Sequence, residues 1–460
     1  MNQKLTLWKE QIKRKEVAVL GVGISHRPLI EYLVKLGAHV TACDRRKAEE
    51  LGEIYQTYSD MGVAFQLGEN YLDNLTQEMI FKTPGMRFDL PQLIEARKQG
   101  ASVVSEMEVF FDLCPAQIIA VTGSDGKTTT TTLIAKMLET QGFKTWLGGN
   151  IGHPLLTDIE KIKPEDKVVV ELSSFQLHTM KSSPAVAVIT NISPNHLDMH
   201  KDYQEYIDAK KNIMRYQSKD ALLVVNFDNE VTREIGKEAQ GKVCYFSRKN
   251  RTNGVYLEND WMIAHRKPVL NIHDIKIPGM HNVENYMAAI AAVEDMVDTE
   301  TVQRVAKEFG GVEHRIELVR TLSGVRYYNS SIDSSPNRTK NTLGVFPDKV
   351  ILIAGGKDKG IPYDELGPVL AEKVKVLILC GATSDHIQES LNREIERSGN
   401  GKDIKVIRTQ DYLAAVRQAK EHAKEGDVVI LSPASTSFDR FKNFEERGNL
   451  FKKLVMELEE

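Results

Sequence analysis

Cysteine is scarce and nowhere paired at metal or redox spacing: Cys43, Cys114, Cys244 and Cys380 are scattered through 460 residues. That excludes a zinc ribbon or a thioredoxin-type centre and leaves reduced, mostly buried thiols as the expectation. Long apolar runs are missing too, and none approaches the length of a transmembrane helix. The first fifteen residues carry too many charges for a secretory signal, so a cytoplasmic protein is expected. Neither sign of charge is in excess. Sixty Lys and Arg against 64 Asp and Glu leave a formal charge of −4, so no nucleic acid or membrane surface is expected as a partner. What remains is an ordinary globular composition, 41% apolar and 27% charged, in a chain too long for one core. Three domains fit the usual domain size.

The most informative stretch is Ile118-Ile-Ala-Val-Thr-Gly-Ser-Asp-Gly-Lys-Thr-Thr-Thr-Thr-Thr-Leu133, an apolar strand running through a glycine turn into a helix start. Gly123 and Gly126 let backbone N–H groups converge, Lys127 adds a point charge, Thr128 offers a hydroxyl to Mg²⁺, and the helix dipole favours anions there. The usual phosphate loop reads GxxxxGK[ST]. Here Val121 stands where the first glycine belongs, leaving the shorter Gly123-x-x-Gly126-Lys127-Thr128. Such a turn can be merely structural, but between a strand and a helix it makes a nucleotide phosphate the expected ligand.

Residues 16–23 form an apolar run ending in glycines, followed by a helical pattern over 28–36 and a second strand over 39–44. Gly21-x-Gly23 with Asp44 imitates a dinucleotide fingerprint, yet His26 fills the third glycine position, which favours a single nucleotide moiety over NAD. Asp44, Arg45 and Arg46 are candidate binders, with helix capping or solvation the alternative for Asp44. Thr83-Pro84-Gly85 reads as a strand-end turn. Strands expected at 118–122, 167–172, 185–191 and 221–226 alternate with helices, which predicts a largely parallel sheet with ligands at its carboxyl edge. Glu171 and His196 fall on that edge. Lys210 and Lys211 read as a solvated helix face. Asn282 and Asn285, one helical turn apart behind Pro278-Gly279, can cap a helix or read an adenine edge. Three further strands, at 349–354, 374–379 and 427–431, each end in a polar loop. The fold class is α/β, in three domains over 1–112, 113–312 and 313–460: a Rossmann-like domain, a parallel-sheet phosphate-loop domain, and a second Rossmann-like domain.

Thr122-Gly-Ser-Asp-Gly-Lys-Thr128, Glu171-Leu-Ser-Ser-Phe-Gln176, residues 191–198 and 279–285, Glu313-His-Arg-Ile316 and residues 432–448 together resemble the Mur ligases of peptidoglycan synthesis, over nearly the whole chain. The tail Asp439-Arg-Phe-Lys-Asn-Phe-Glu-Glu-Arg-Gly448 is similar to that of the D-glutamate-adding members. The resemblance implies condensation of the UDP-N-acetylmuramoyl-L-alanine carboxylate with D-glutamate through an acyl phosphate, driven by ATP. It implies ATP contacts at Gly123, Ser124, Asp125, Gly126, Lys127, Thr128 and Thr129, with Asn282 and Asn285 at the adenine and Arg315 at the γ-phosphate. Two Mg²⁺ sites would use Thr128 and Glu171, then His196 and Lys210, the lysine converted by CO₂ to an anionic carbamate. Lys127, His196, Lys210 and Arg315 would be the catalytic set. Asp44, Arg45, Thr83, Asn150 and His196 would hold the UDP-substrate, and Ser334, Lys359, Ser437 and Phe444 the D-glutamate. A monomer is expected.

One segment departs from the pattern. Many members read Asn-Asp-Ser-Lys-Ala-Thr-Asn where Asn329-Ser-Ser-Ile-Asp-Ser-Ser335 stands, so Ser330 replaces an acid and Ile332 a lysine, and Asp333 offers a carboxylate from a shifted position. Competing readings are a related ligase with another amine acceptor, a NAD-linked oxidoreductase, and a nucleotide-binding regulator. The last leaves Lys127, Glu171 and Arg315 without a purpose.

Overall fold

The computed structural model describes residues 2–459 except 24, 153 and 195–198. Three sheets follow one another along the chain. The first holds β1 (Glu16–Leu20), β2 (His39–Asp44), β3 (Ala64–Leu67), β4 (Met79–Lys82) and β5 (Ser102–Val104) in the order β3-β2-β1-β4-β5, all parallel. Strand order reverses at β1, so the ends of β1, β2 and β4 enclose the crevice in which such sheets bind ligands.

The second sheet comprises β6 (Gln117–Thr122), β7 (Thr145–Gly149), β8 (Lys167–Glu171), β9 (Val186–Ile189), β10 (Leu222–Asn226), β11 (Lys242–Ser247), β12 (Val255–Glu258), β13 (Trp261–Ala264) and β14 (Lys267–Asn271). Its order is β14-β13-β12-β11-β10-β9-β6-β8-β7, parallel from β7 to β12 and closed by an antiparallel β12–β13–β14 meander. The meander turns at Asn259-Asp260 and His265-Arg266, four residues with positive φ, as tight two-residue hairpin turns demand. Strand β6 lies between β9 and β8, so the phosphate-loop turn opens beside the ends of both.

The third sheet holds β15 (Glu317–Leu322), β16 (Val325–Asn329), β17 (Val350–Ala354), β18 (Val374–Leu379), β19 (Lys405–Arg408) and β20 (Val428–Leu431), in the order β15-β16-β20-β17-β18-β19. Only the β15–β16 pair is antiparallel.

Every strand expected from an apolar run is present. The strands that escaped the sequence reading, β3, β7, β11–β16 and β19 among them, are largely at or near sheet edges, where one face is wet and the run is broken by polar residues or glycine. The chain forms two compact units. One runs to Ile272 and takes in Val283–Val305; the other comprises His273–Asn282 and Ala306 onward. The first two sheets share a unit because one apolar cluster serves both, with Leu5, Trp8, Phe110, Leu156 and Ile159 all buried in it. Among the described residues, no helix is long and apolar enough to cross a membrane.

Candidate active site

Strand β6 delivers Thr122 to the sheet edge, and the helix Lys127–Gln141 begins five residues later. Gly126 is the residue before the helix and lies in the left-handed region at φ 77°. A Cβ there would stand 2.2 Å from Asn285 Oδ1, and one on Gly123 1.9 Å from Thr190 Oγ1. Gly126→Ala therefore combines about 1–2 kcal/mol of backbone strain with a displaced Asn285. A lower Tm and weaker ATP binding by calorimetry are the expected results.

Strand β9 and the segment after it hold the loop from the other side. Thr190 Oγ1 donates to Asp125 O at 2.6 Å, Ser124 N donates to Asn191 O at 2.8 Å, and the Asn191 carboxamide brackets Asp125 at 3.1 Å on both atoms. Lys127 Nζ curls back onto the carbonyls of Gly123 (3.0 Å) and Ser124 (2.9 Å). Thr128 Oγ1 donates to Glu171 Oε2 at 2.7 Å, and Asn150 Nδ2 donates to Glu171 Oε1 at 2.7 Å. Glu171 is buried, so a carboxylate ends an apolar strand with its two oxygens facing a hydroxyl and an amide.

Lys210 corrects the reading of both lysines as a solvated helix face, which the residues alone suggested. It is 1% exposed, not a solvated helix residue, and its Nζ donates to Gly123 O at 2.8 Å and to Thr122 Oγ1 at 3.3 Å. Its Nζ lies 4.7 Å over the Tyr206 ring, whose hydroxyl is 3.0 Å from Ser124 Oγ. Burial, reinforced by the Lys127 charge, holds the amine well below the usual lysine range. Lys211, one residue on, points outward and pairs with Glu238. A signal for this was present: Tyr206, Ala209, Lys210 and Ile213 occupy i, i+3, i+4 and i+7 of the helix Tyr203–Arg215, and all four are buried.

Residues 121–293 match the Mur ligase middle domain, residues 15–105 the MurD-like N-terminal domain of Mur ligases, and residues 314–435 the Mur ligase glutamate ligase domain. The UDP-N-acetylmuramoylalanine--D-glutamate ligases of Acetivibrio thermocellus and Ruminiclostridium cellulolyticum are 58% and 56% identical, each over all of both chains. This chain belongs to the Mur ligase family. Among solved structures it is similar to UDP-N-acetylmuramate-alanine ligase MurC of Thermotoga maritima, with TM-score 0.58 and 20% identity over 96% of this chain and 99% of that one. The fold is likewise that of Thermotoga maritima MurF in complex with ADP, with TM-score 0.54 and 18% identity over 97% and 96% of the two chains. Mur ligases use ATP and Mg²⁺.

Within this Mur ligase the other expected site residues fall as follows. His196 lies outside the described residues. At the first sheet's crevice, Asp44 is not a free carboxylate. It accepts from Val22 N (2.7 Å) and from Arg46 N, Nε and Nη2 (3.0, 3.0 and 2.8 Å), while Arg46 Nη2 also donates to Val22 O at 3.0 Å. Burial pushes this carboxyl up, but the Arg46 side chain and the Arg46 and Val22 amides together outweigh it and hold the group at about 2. The stabilisation from Asp44 is thus fully present above about pH 4 and is lost as pH falls through about 2. With both oxygens engaged, Asp44 braces the Gly21–Gly23 turn, which also removes the ribose acceptor an oxidoreductase would need. Arg45 is exposed, and Thr83 lies beside Gly21.

Asn285 accepts from Thr130 Oγ1 at 3.3 Å and so sits at the phosphate loop, whereas Asn282 donates to Pro278 O at 2.6 Å, just ahead of the helix Met280–Val293. Arg315 stands between His314 and Ile316, both non-glycine residues with positive φ (61° and 46°). Strained neighbours of this kind cluster at functional sites.

In the second unit the loops after β17 and β20 are laced together. Lys357 N donates to Thr436 O at 2.8 Å, Thr436 N to Lys357 O at 3.1 Å, and Gly355 N to Pro433 O at 2.8 Å. Lys359 is exposed on the first loop and Ser437 buried on the second, while Ser334 and Phe444 are half-buried. Asp333, which offers a carboxylate from a shifted position, is turned inward. It is buried, its Oδ2 accepts from Ser432 Oγ at 2.8 Å, and burial raises its pKa against the hydrogen bonds from Ser330 and Ser432. Sequence reasoning also missed Arg87, which grips Asp89 (2.8 Å), Glu205 (3.2 Å) and Met199 O (2.9 Å) and so fixes the first turn of the helix bearing Lys210.

Proposed function

We propose that this chain, a cytoplasmic monomer with domains over 1–112, 113–312 and 313–460, joins D-glutamate to UDP-N-acetylmuramoyl-L-alanine at the expense of ATP. The observation that carries the reading is the convergence on one turn. Lys127 and Lys210 both donate to Gly123 O, and Thr128 binds Glu171 beside them. The D-glutamate specificity rests on the names of the full-length relatives.

A carboxylate is a poor electrophile. Its oxygen attacks the γ-phosphorus of ATP, ADP departs, and the resulting acyl phosphate is attacked by the amine of D-glutamate; the tetrahedral adduct expels phosphate, and the amine proton passes to solvent or phosphate. Placement and charge neutralisation do most of the work. Gly123, Ser124, Asp125, Gly126, Lys127, Thr128 and Thr129 hold the phosphates, Asn282 and Asn285 the adenine end, and Arg315 the γ-phosphate. Arg45, Thr83, Asn150 and His196 serve the UDP-substrate, with Asp44 acting through the Gly21–Gly23 turn that it braces, and Ser334, Lys359, Ser437 and Phe444 serve the D-glutamate.

The Thr128 hydroxyl and the Glu171 carboxylate are oxygen ligands side by side, in hydrogen-bond contact at 2.7 Å, which fits a hard cation such as Mg²⁺. Once bound, that ion neutralises phosphate charge. A second Mg²⁺ would use His196 and the carbamate of Lys210. The neutral amine that burial and the Lys127 charge favour is the form that attacks CO₂, releasing one proton, and the carbamate would set an anion beside the Lys127 cation.

A phosphate-release assay with UDP-N-acetylmuramoyl-L-alanine and a panel of amino acids tests the assignment. D-glutamate is the expected dominant acceptor; ATP turnover that is absent, or indifferent to both substrates, refutes it. In the same assay Asp44→Ala, which frees Arg46 and the Val22 amide, is expected to raise KM for the UDP-substrate about 10- to 100-fold and to leave KM for ATP unchanged.

A further inference from the structure

The largest fully buried side chain among the described residues is Arg447, on the helix Phe444–Met456, with no exposed surface. Its guanidinium is held by neutral groups. Nε donates to Ser331 Oγ (3.0 Å), Nη2 to Ser331 O (2.8 Å), and Nη1 to both Ser435 O and Thr436 O (3.1 Å each). Ser331 Oγ donates in turn to Phe444 O at 2.8 Å. The Tyr412 phenol is a further partner of the guanidinium, while Asp333 and Asp439 act at a distance, and among the described residues neither acid forms an ion pair with it. Burial lowers the Arg447 pKa, but a guanidinium stays charged in a protein. A buried cation balanced by carbonyls, a hydroxyl and a phenol, with no carboxylate paired to it, is costly, so a structural role alone accounts for it poorly.

The geometry gives it another role. Nη1 draws two successive carbonyls, those of Ser435 and Thr436, toward the interior. A trans peptide sets its N–H opposite its C=O, and there is no cis bond among the described residues, so the same planes turn the Thr436 and Ser437 N–H groups the other way. Thr436 N–H is taken by Lys357 O. Ser437 is buried, and its N–H shares the peptide plane of the Thr436 carbonyl, so it points away from the guanidinium. Oriented N–H groups backed by a cation favour a carboxylate.

We propose that Arg447 is a positioning and specificity residue: it turns the 435–437 loop so that the Ser437 amide and hydroxyl receive the side-chain carboxylate of the acceptor amino acid, and its buried charge biases that place toward an acid. The inference rests on the D-glutamate reading. The wild type is therefore assayed first, and failure to use D-glutamate there overturns that reading and this one together, before any variant is made.

The test is the ratio of kcat/KM for D-glutamate over D-glutamine, its uncharged analogue, in Arg447→Met and Arg447→Lys. In R447M the ratio is expected to fall at least tenfold through a raised D-glutamate KM, with KM for ATP and for the UDP-substrate within twofold of wild type. R447K, which restores the charge without the fork of donors, is expected to recover part of the ratio. A purely structural role would depress both acceptors equally; a ratio in R447M within twofold of wild type overturns the proposal. Should R447M not fold, R447K decides alone: a wild-type ratio and wild-type D-glutamate KM overturn it, and a reduced ratio supports it.

Discussion

Replacing Lys210 by alanine is expected to lower kcat about 10³-fold, while Lys211→Ala stays within about threefold of wild type. The two side chains are neighbours in sequence and opposites in environment. Lys210 Nζ is sealed against the Gly123 carbonyl and the Tyr206 ring, whereas Lys211 is tied to Glu238 at the helix surface. Equal losses in both variants would remove the special status of Lys210. A readout besides activity is available. Wild type in ¹³C-bicarbonate should give a carbamate resonance that Lys210→Ala lacks. The burial also has a pH signature. Burial and Lys127 lower the folded-state pKa of Lys210, and unfolding returns it to about 10.4. The unfolded chain then binds the extra proton throughout the interval between those values, so in CO₂-free buffer stability climbs as pH approaches about 10. Lys210→Met should flatten that slope. A wild-type stability as flat as that of the variant would contradict the buried placement.

Glu171→Gln is the second large effect, with an expected rise of about 10²-fold or more in the Mg²⁺ concentration for half-activity and a matching fall in kcat. The shape of the side chain is kept, but its charge is gone, and one acceptor oxygen becomes a donor facing either Thr128 or Asn150. Calorimetric titration with Mg²⁺ and an ATP analogue checks it. An unaltered Mg²⁺ requirement would mean that the ion is held elsewhere. The fold should survive, since the strand carrying Glu171 is buried and paired on both sides independently of this carboxylate.

These two positions differ in how openly the sequence displayed them. Glu171 was legible because a carboxylate at the end of an all-apolar strand is costly unless something meets it. Lys210 was not legible by composition, since a lysine pair in a polar helix ordinarily faces water, and only its family resemblance singled it out. Asp44 was recognised as a strand-end acid of the crevice, yet its closure onto Arg46 and Val22 depends on a turn that a linear reading does not show. Arg447 stood inside a noticed motif without any visible reason for its charge to be buried.

By itself, then, the sequence determined the buried strands and the chemistry of the phosphate turn, because a β-branched run, a pair of glycines and the lysine and threonine behind them act over a few consecutive residues. Only the tertiary structure decided which of two adjacent lysines enters the protein, which carboxylates remain available to ligands, and where a guanidinium is enclosed. Successive residues on a helix point about 100° apart, and which direction becomes the interior is set by partners far away in the chain: Thr122 and Gly123 for Lys210, Ser331 and Ser435 for Arg447.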